Sequence, residues 1–315
     1  MDIQNQHMSR RKFIALGAVA IGGVALAANV ASLDDTTVKT AKPAKPAFTL
    51  TPEKWKDQDI TVAWLGHAGF LINFYGTKIL IDPAFYERIG ITPVGNFTIG
   101  MKRYIASPIT PEQIGPVDLL ICSHAHTDHF DYPSLRDMQS SNTSVITAKG
   151  TQALWEGLEY KSIAEMHWGD EKDYTGGLRV KAIEGEHWGA RLPWNKEMES
   201  NSLLLSKNGV NIFLGADTGY TEKFQQQLRE VDIELAIMGI GAYSPKSFEA
   251  RHATPEQAIQ MAEEIGAKKI LPMHWGTFKI SQEPMDEPIK RFNQAMAGKL
   301  DKVALQEVGA TWVRP

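Results

Sequence analysis

Val117-Asp118-Leu119-Leu120-Ile121-Cys122 is a short, nearly continuous apolar run, and it leads straight into Ser123-His124-Ala125-His126-Thr127-Asp128-His129. The run has the composition of a strand covered on both faces. The segment after it holds three of the chain's nine histidines within six residues. A strand-to-loop junction is where α/β sheets commonly build their sites. Alternation along an extended segment puts His124 and His126 on one side, so both imidazoles reach a single point. Asp128 and His129 come after the chain turns and aim at an adjacent point. Packing unpaired imidazoles and a carboxylate side by side costs several kcal/mol unless something compensates them. A metal ion does, and imidazole with carboxylate suits zinc, iron or manganese better than calcium or magnesium.

Further along the chain, three more candidates end apolar runs in the same manner. His187 follows Leu178 to Ile183, Asp217 follows Asn211 to Leu214, and His274 follows Lys269 to Met273. With His124, His126, Asp128 and His129 they make seven ligands. That exceeds one tetrahedral zinc and suits two divalent ions sharing a bridging carboxylate, zinc first, with manganese or iron as alternatives. His67, after Thr61 to Leu65, reads as a supporting residue that donates its ring N–H to a ligating carboxylate. His252 sits just before a helix N-terminus, where it either meets an anion or only props the helix entry. Lys102 and Arg103 read either as a phosphate-facing pair or, more commonly for such residues, as a solvated surface pair. His167 shares the His-Trp-Gly context of His187 and His274 without ending a strand that carries a ligand. Cys122 reads as packing.

Between these points the chain alternates short apolar strands with polar turns from Ile60 onward. Phe70 to Phe74 and Lys78 to Ile81 flank Tyr75-Gly76-Thr77, a hairpin pattern. Ser202 to Leu205 and Glu234 to Ile240 are further strands. The clearest helix opens at Thr254-Pro255-Glu256-Gln257, with Thr as N-cap, Pro first and Gln three residues after the cap, and it stops at Gly266. Strands and helices alternating without a composition break predict one α/β domain over 60–315.

Composition narrows the classes. The chain has 315 residues, 43% hydrophobic and 22% charged, and a formal charge of −4. It is globular, with no polycationic reason to bind nucleic acid. One cysteine excludes an intramolecular disulfide and a cysteine-based zinc cluster. The N-terminus reads as an address. Ser9-Arg10-Arg11-Lys12 precedes the uncharged run Phe13 to Ala28, and Ala25-Leu26-Ala27 offers a cleavage site. Residues 1–31 are therefore expected to be a twin-arginine-type signal peptide engaging the export machinery, giving a periplasmic or otherwise extracytoplasmic protein. The alternative is an uncleaved N-terminal membrane anchor, although 16 residues fall short of the ~20 that a bilayer core asks for. Residues 32–59, with Ala41-Lys42-Pro43-Ala44-Lys45-Pro46, read as an extended linker.

At His124, His126, Asp128 and His129 the chain resembles the metallo-β-lactamase-fold hydrolases, whose H-x-H-x-D-H motif these residues match. Trp64-Leu65-Gly66-His67-Ala68, Lys102-Arg103-Tyr104, Gly215-Ala216-Asp217-Thr218-Gly219-Tyr220, Ile240-Gly241-Ala242-Tyr243, His252 to Ala258 and His274-Trp275-Gly276-Thr277-Phe278 narrow the likeness. They resemble the branch of the N-acyl-phosphatidylethanolamine-hydrolysing phospholipase D and its bacterial relatives. The resemblance implies a four-layer αββα sandwich with the metals at one edge. It implies His124, His126 and His187 at the first metal, Asp128, His129 and His274 at the second, and Asp217 between them. Asp128 and His252 are the implied catalytic residues, with Tyr243 among the supporting or substrate-facing ones. The implied chemistry is attack by a metal-activated hydroxide on a phosphodiester of a lipid such as an N-acyl phospholipid, with contact to a membrane surface. A small-molecule substrate handled by a lactonase or other acyl hydrolase of the same fold is the alternative, and a metal-retaining binding protein without turnover is the reading from another class. The chain departs from the branch at Trp194-Asn195-Lys196-Glu197-Met198-Glu199-Ser200-Asn201, where the relatives carry a Trp-Gly or Trp-Ser element.

Overall fold

The structure is a computed structural model that describes residues 42–94, 97–192, 194 and 197–315. The segment read as a signal peptide, and the linker as far as residue 41, lie outside the described residues. So do Asn195 and Lys196 of the departing stretch.

Strands β1 (Ile60–Gly66), β2 (Gly69–Phe74) and β3 (Thr77–Ile81) open the domain as an antiparallel meander. The second turn is Tyr75-Gly76, both at positive φ (48° and 78°), the two-residue geometry whose twist matches that of the strands it joins. A separate ribbon of β4 (Arg88–Val94) and β5 (Phe97–Lys102) follows. After the short helix α1 (Pro111–Ile114), β6 (Leu119–Cys122) returns to the first sheet beside β3. Helix α2 (Tyr132–Asp137), β7 (Ser140–Ala148) and β8 (Tyr160–Met166) complete the run. The second sheet takes β9 (Glu171–Tyr174), β10 (Leu178–Glu184), β11 (Asn201–Lys207) and β12 (Val210–Ala216). It continues past α3 (Lys223–Leu228) with β13 (Ile233–Gly239), α4 (Pro255–Glu264) and β14 (Lys269–Met273). Helix α5 (Glu287–Ala295) follows, and β15 (Thr311–Arg314) crosses back to pair with β1. The sheet orders are β15-β1-β2-β3-β6-β7-β8 and β14-β13-β12-β11-β10-β9.

Burial divides the molecule into four layers. Val62, Trp64, Ile72, Ile81 and Ile121 of the first sheet meet Val180, Leu203, Ile212 and Leu235 of the second in the central core. Leu71, Leu80 and Leu120 turn outward against Ile114 and Leu135 of α1 and α2. Phe213 and Ile183 turn outward against Phe224, Ile259 and Phe292 of α3, α4 and α5. This is the αββα sandwich of the metallo-β-lactamase fold.

Two expectations need correction. Helices do not alternate with strands throughout, because β1–β3, β9–β10 and β11–β12 are joined by short turns, β10 and β11 by the long segment that carries His187, and the helices cluster outside the sheets. The described part of the 32–59 segment is not a free tether. Ala44 bridges Ile105, Leu50 is buried among the outer-core residues and Trp55 packs beside it, since these apolar side chains gain more by covering the domain than by staying solvated. The capped helix is as read, with the Thr254–Gln257 capping box formed and Gly266 at φ 70°.

Candidate metal centre

The pairing order decides where the ligands meet. β1, β3 and β6 run in one direction in the first sheet, and β10, β12 and β14 share one direction in the second, because each antiparallel step is undone by the next. Their C-terminal ends lie at one edge of the sandwich, and every candidate ligand sits just past one of them. The backbone turns sharply there. His67, Asp82, Ala216, Ala242 and His274 all carry positive φ, between 41° and 67°. Strain of this kind costs about 1–3 kcal/mol per residue and persists only where surrounding structure fixes it.

All seven predicted ligands come together. His124 Nε2 lies 2.9 Å from His126 Nδ1, and His187 Nε2 lies 3.2 Å from the same atom. On the other side His129 Nε2 is 3.2 Å from His274 Nε2, and His274 Nε2 is 3.3 Å from Asp128 Oδ2. Asp217 Oδ2 stands between, 3.1 Å from His274, 3.3 Å from His129, 3.8 Å from His187 and 4.0 Å from His124. His67 Nε2 donates to Asp128 Oδ2 at 2.8 Å, and His252 Nδ1 is 3.7 Å from Asp217 Oδ2.

The outer hydrogen bonds fix which nitrogen faces inward. His129 Nδ1–H donates to Asp82 Oδ2 at 2.8 Å, and His187 Nδ1–H donates to the Arg251 carbonyl at 2.9 Å. Ser123 gives its hydroxyl proton to Asp82, so its oxygen is free to accept from His124 Nδ1 at 3.0 Å. The Nε2 atoms of all three are thereby turned toward the centre, those of neutral His124 and His187 as lone pairs, as in metal-ligating histidines whose outer nitrogen is tied to an acceptor. The Nε2 lone pairs of His124 and His187 both face His126 Nδ1, and one proton there cannot serve both. Asp217 Oδ1 is buried with no hydrogen-bond partner among the described residues. Converging lone pairs and an orphaned carboxylate oxygen fit a pair of divalent cations, with His124, His126 and His187 holding one, Asp128, His129 and His274 the other, and Asp217 placed to reach both.

The electrostatics divide the site the same way. Burial holds His124 and His187 well below the usual histidine range and His126 down at about 4, so these three are neutral ligands. Burial would also lower His274, yet Asp217 and Asp128 carry it up to about 9. His129 is raised as well, against its burial, by Asp217, Asp128 and Asp82. Both carboxylates stay ionised despite burial because the histidines surround them. The second half of the site thus calls for positive charge, which a proton supplies when a cation does not.

Asp82 is the residue that sequence reading missed. It is 1% exposed, follows β3, and accepts the Ser123 N–H at 2.7 Å as well as the Ser123 hydroxyl and His129. The available signal was its place one residue beyond a strand end, as for the ligands. Other expectations fail. Arg103 is not a phosphate contact. Its buried guanidinium donates to the carbonyls of Leu65, Ala84 and Ile105, pinning the turns after β1 and β3. Tyr243 is committed elsewhere, donating its hydroxyl to Glu287 at 2.9 Å with Arg291 over its ring. Lys102 stands opposite Arg88 in the register of the β4–β5 ribbon, with no hydrogen bond or ion pair to a candidate ligand among the described residues. His167, which matches no ligand position in the sequence, lies just past β8, binds Glu199 at 2.8 Å and belongs to none of the ligand groups. Trp275 packs on Trp64, whereas Trp188, 46% exposed, lies against the rings of His126 and His187 at the mouth.

The family model described as "Beta-lactamase superfamily domain" matches residues 77–275, more than half of the chain. The chain belongs to that family. Among relatives of this superfamily protein, an uncharacterised Mycobacterium tuberculosis protein is 27% identical over 261 residues, covering 80% of this chain and 68% of that one. The mitochondrial N-acyl-phosphatidylethanolamine-hydrolyzing phospholipase D of Saccharomyces cerevisiae is 26% identical over 260 residues, covering 79% of this chain and 54% of that protein. Among solved structures, Igni18, a metallo hydrolase from Ignicoccus hospitalis, superposes with a TM-score of 0.61 at 18% identity, over 82% of this chain and 99% of that one.

Proposed function

We propose that this metal-dependent hydrolase of the metallo-β-lactamase superfamily holds two cations and cleaves phosphodiesters, N-acyl phospholipids in particular, outside the cytoplasm. The observation that carries the binuclear reading is the position of Asp217 Oδ2, within 4.0 Å of histidines from both groups. Two bound divalent ions lower the pKa of a shared water and steady charge on the oxygens of the bond being broken.

The chain's own residues supply the rest. His67 and His274 fix Asp128 Oδ2, which leaves its carboxylate placed to orient an attacking water. His252, pushed down to about 4 by burial, is neutral at pH 7 and offers the substrate a hydrogen bond rather than a standing acid. Trp188 gives the mouth an aromatic wall. The phosphodiester preference is supported by the likeness to the yeast phospholipase D, and export by Arg10-Arg11 ahead of Phe13 to Ala28.

The test is turnover by the metal-replete full chain of bis(p-nitrophenyl) phosphate, a panel of N-acyl phosphatidylethanolamines and a panel of lactones, with Asp128→Asn as control. Phosphodiester cleavage reduced at least ~10²-fold in the control supports the proposal. Cleavage of lactones alone makes the protein an acyl hydrolase, and two bound metals with no turnover make it a binding protein.

A further inference from the structure

Beside the metal edge, the β4–β5 ribbon stands outside both sheets, and its two faces differ. Cross-strand partners share a face, so the pairs Ile89–Met101 and Ile91–Ile99 place four apolar side chains on one side, with Phe97 two residues beyond Ile99 on the same side. Burial along this face falls from base to tip. Ile89 is 1% exposed and packs with Met101 against Phe278 and Ile280, while Ile99 is 57% and Phe97 66% exposed. The opposite face carries Arg88 and Lys102 at the base, the facing pair Gly90–Gly100, and Thr92 and Thr98 joined at 3.1 Å. The apolar face leads to the site. Phe278 and Ile280 line, with Trp275 and Met285, a groove that reaches His274.

Two further observations say what covers this face. Lys42 to Pro46 arrives beside the ribbon's base: Ala44 N–H donates to Tyr104 at 2.7 Å, and Ala106 N–H donates back to Ala44 at 2.8 Å. Lys42 to Pro46 is thus held against the segment that follows β5. The segments that meet there are rich in cations, with Lys42 and Lys45 beside Ala44 in sequence and Arg88 facing Lys102 in register, against Glu87.

From an apolar face bare at its tip, basic groups at its base and a groove running to His274, we infer that the β4–β5 ribbon docks on an anionic lipid bilayer and presents the metal edge to it. Apolar side chains entering the headgroup boundary with cations at headgroup level is the arrangement of interfacial segments in general. The inference builds on the lipid-substrate reading, but docking needs no turnover and can fail separately.

The test is co-sedimentation of the full chain with vesicles of phosphatidylglycerol and phosphatidylcholine, comparing the native protein with Phe97→Ser/Ile99→Ser and with Lys102→Gln. Both substituted apolar side chains are mostly solvent-exposed, so the fold should tolerate their loss. The double variant is expected to bind at least about tenfold more weakly, and Lys102→Gln to weaken binding to the anionic vesicles alone. Turnover of bis(p-nitrophenyl) phosphate, which needs no membrane, should be unchanged in both. Binding equal to that of the native chain would overturn the inference, since any vesicle affinity would then reside elsewhere. So would loss of self-association in the double variant without loss of vesicle binding, which would make the ribbon a contact between copies. Absence of phosphodiester turnover with docking intact would count against the substrate alone.

Discussion

The two sheets build their halves of the metal centre in different ways. The first sheet contributes one continuous loop, His124 to His129, with its supports close in sequence or space: Ser123 under His124, Asp82 under His129, His67 on Asp128. The second contributes His187, Asp217 and His274, one from each of three strand ends tens of residues apart. Two of those three ligands keep an unpartnered buried atom among the described residues, Asp217 Oδ1 and His274 Nδ1, whereas on the first sheet's side of the site only the supporting His67 does so, at its Nδ1. A hydrogen-bonded loop is preorganised without metal, whereas a set of orphaned atoms depends on what it binds. The dispersed half should therefore respond more strongly to the cations than the contiguous half does.

The most severe way to break this contrast is Asp217→Ala, which removes a carboxylate within 4.0 Å of histidines from both ligand groups. Turnover should fall by more than the 10–100-fold typical of supporting residues, and the metal content per chain should drop. A milder loss, with both metals retained, would show that the halves are independent. Asp82→Asn weakens the support of His129 and, through Ser123, that of His124, but removes no ligand. It should cost about 10–100-fold in metal affinity or turnover while the fold, read by circular dichroism, stays intact. Arg103→Met should act on stability instead, by roughly 3 kcal/mol in denaturant unfolding, because it strips donors from three carbonyls.

Stability against pH probes the same contrast. In metal-free protein His67 and His126 sit at about 3 and 4, below their ordinary 6.5, so the unfolded chain binds more protons and stability falls as pH drops below about 6.5. His274, at about 9, has the opposite sign. Its contribution is complete below about 6.5 and is lost as pH rises toward 9. Metal loading replaces that proton, so the alkaline loss should appear in chelator-treated protein and vanish in loaded protein, as measured by urea unfolding from pH 5 to 9. The smallest effect is expected from His167→Ala. This histidine shares the His-Trp-Gly context of two ligands but is about half exposed and pairs only with Glu199, so activity should be unchanged.

How much of the site is legible in the sequence differs between the halves for the same reason. His124 to His129 declares itself because its residues are adjacent, and imidazoles and a carboxylate buried together are costly without a cation. His187, Asp217 and His274 are legible only as residues past apolar runs, a signal His167 shares. Strand order, which the sequence does not print, separates them. The capping box at Thr254 and the hairpin at Tyr75-Gly76 are local chemistry and were readable. Arg103 and Tyr243 were misread because a charged or phenolic side chain in a familiar segment looks like a ligand contact until its partners, here carbonyls and Glu287, are seen. Asp82 was passed over because a lone aspartate after a strand is also a common turn residue. The packing of Leu50 and Trp55 was hidden by the proline- and lysine-rich composition around them.

Whether seven side chains from both sheets hold two cations is decided by metal analysis of the purified full chain, equilibrated with zinc and dialysed, beside His187→Ala and His274→Ala. Two equivalents per chain in the native protein, with each variant losing about one, is the expected result for paired sites of this kind. One equivalent or none, or two that neither substitution disturbs, would refute the binuclear centre.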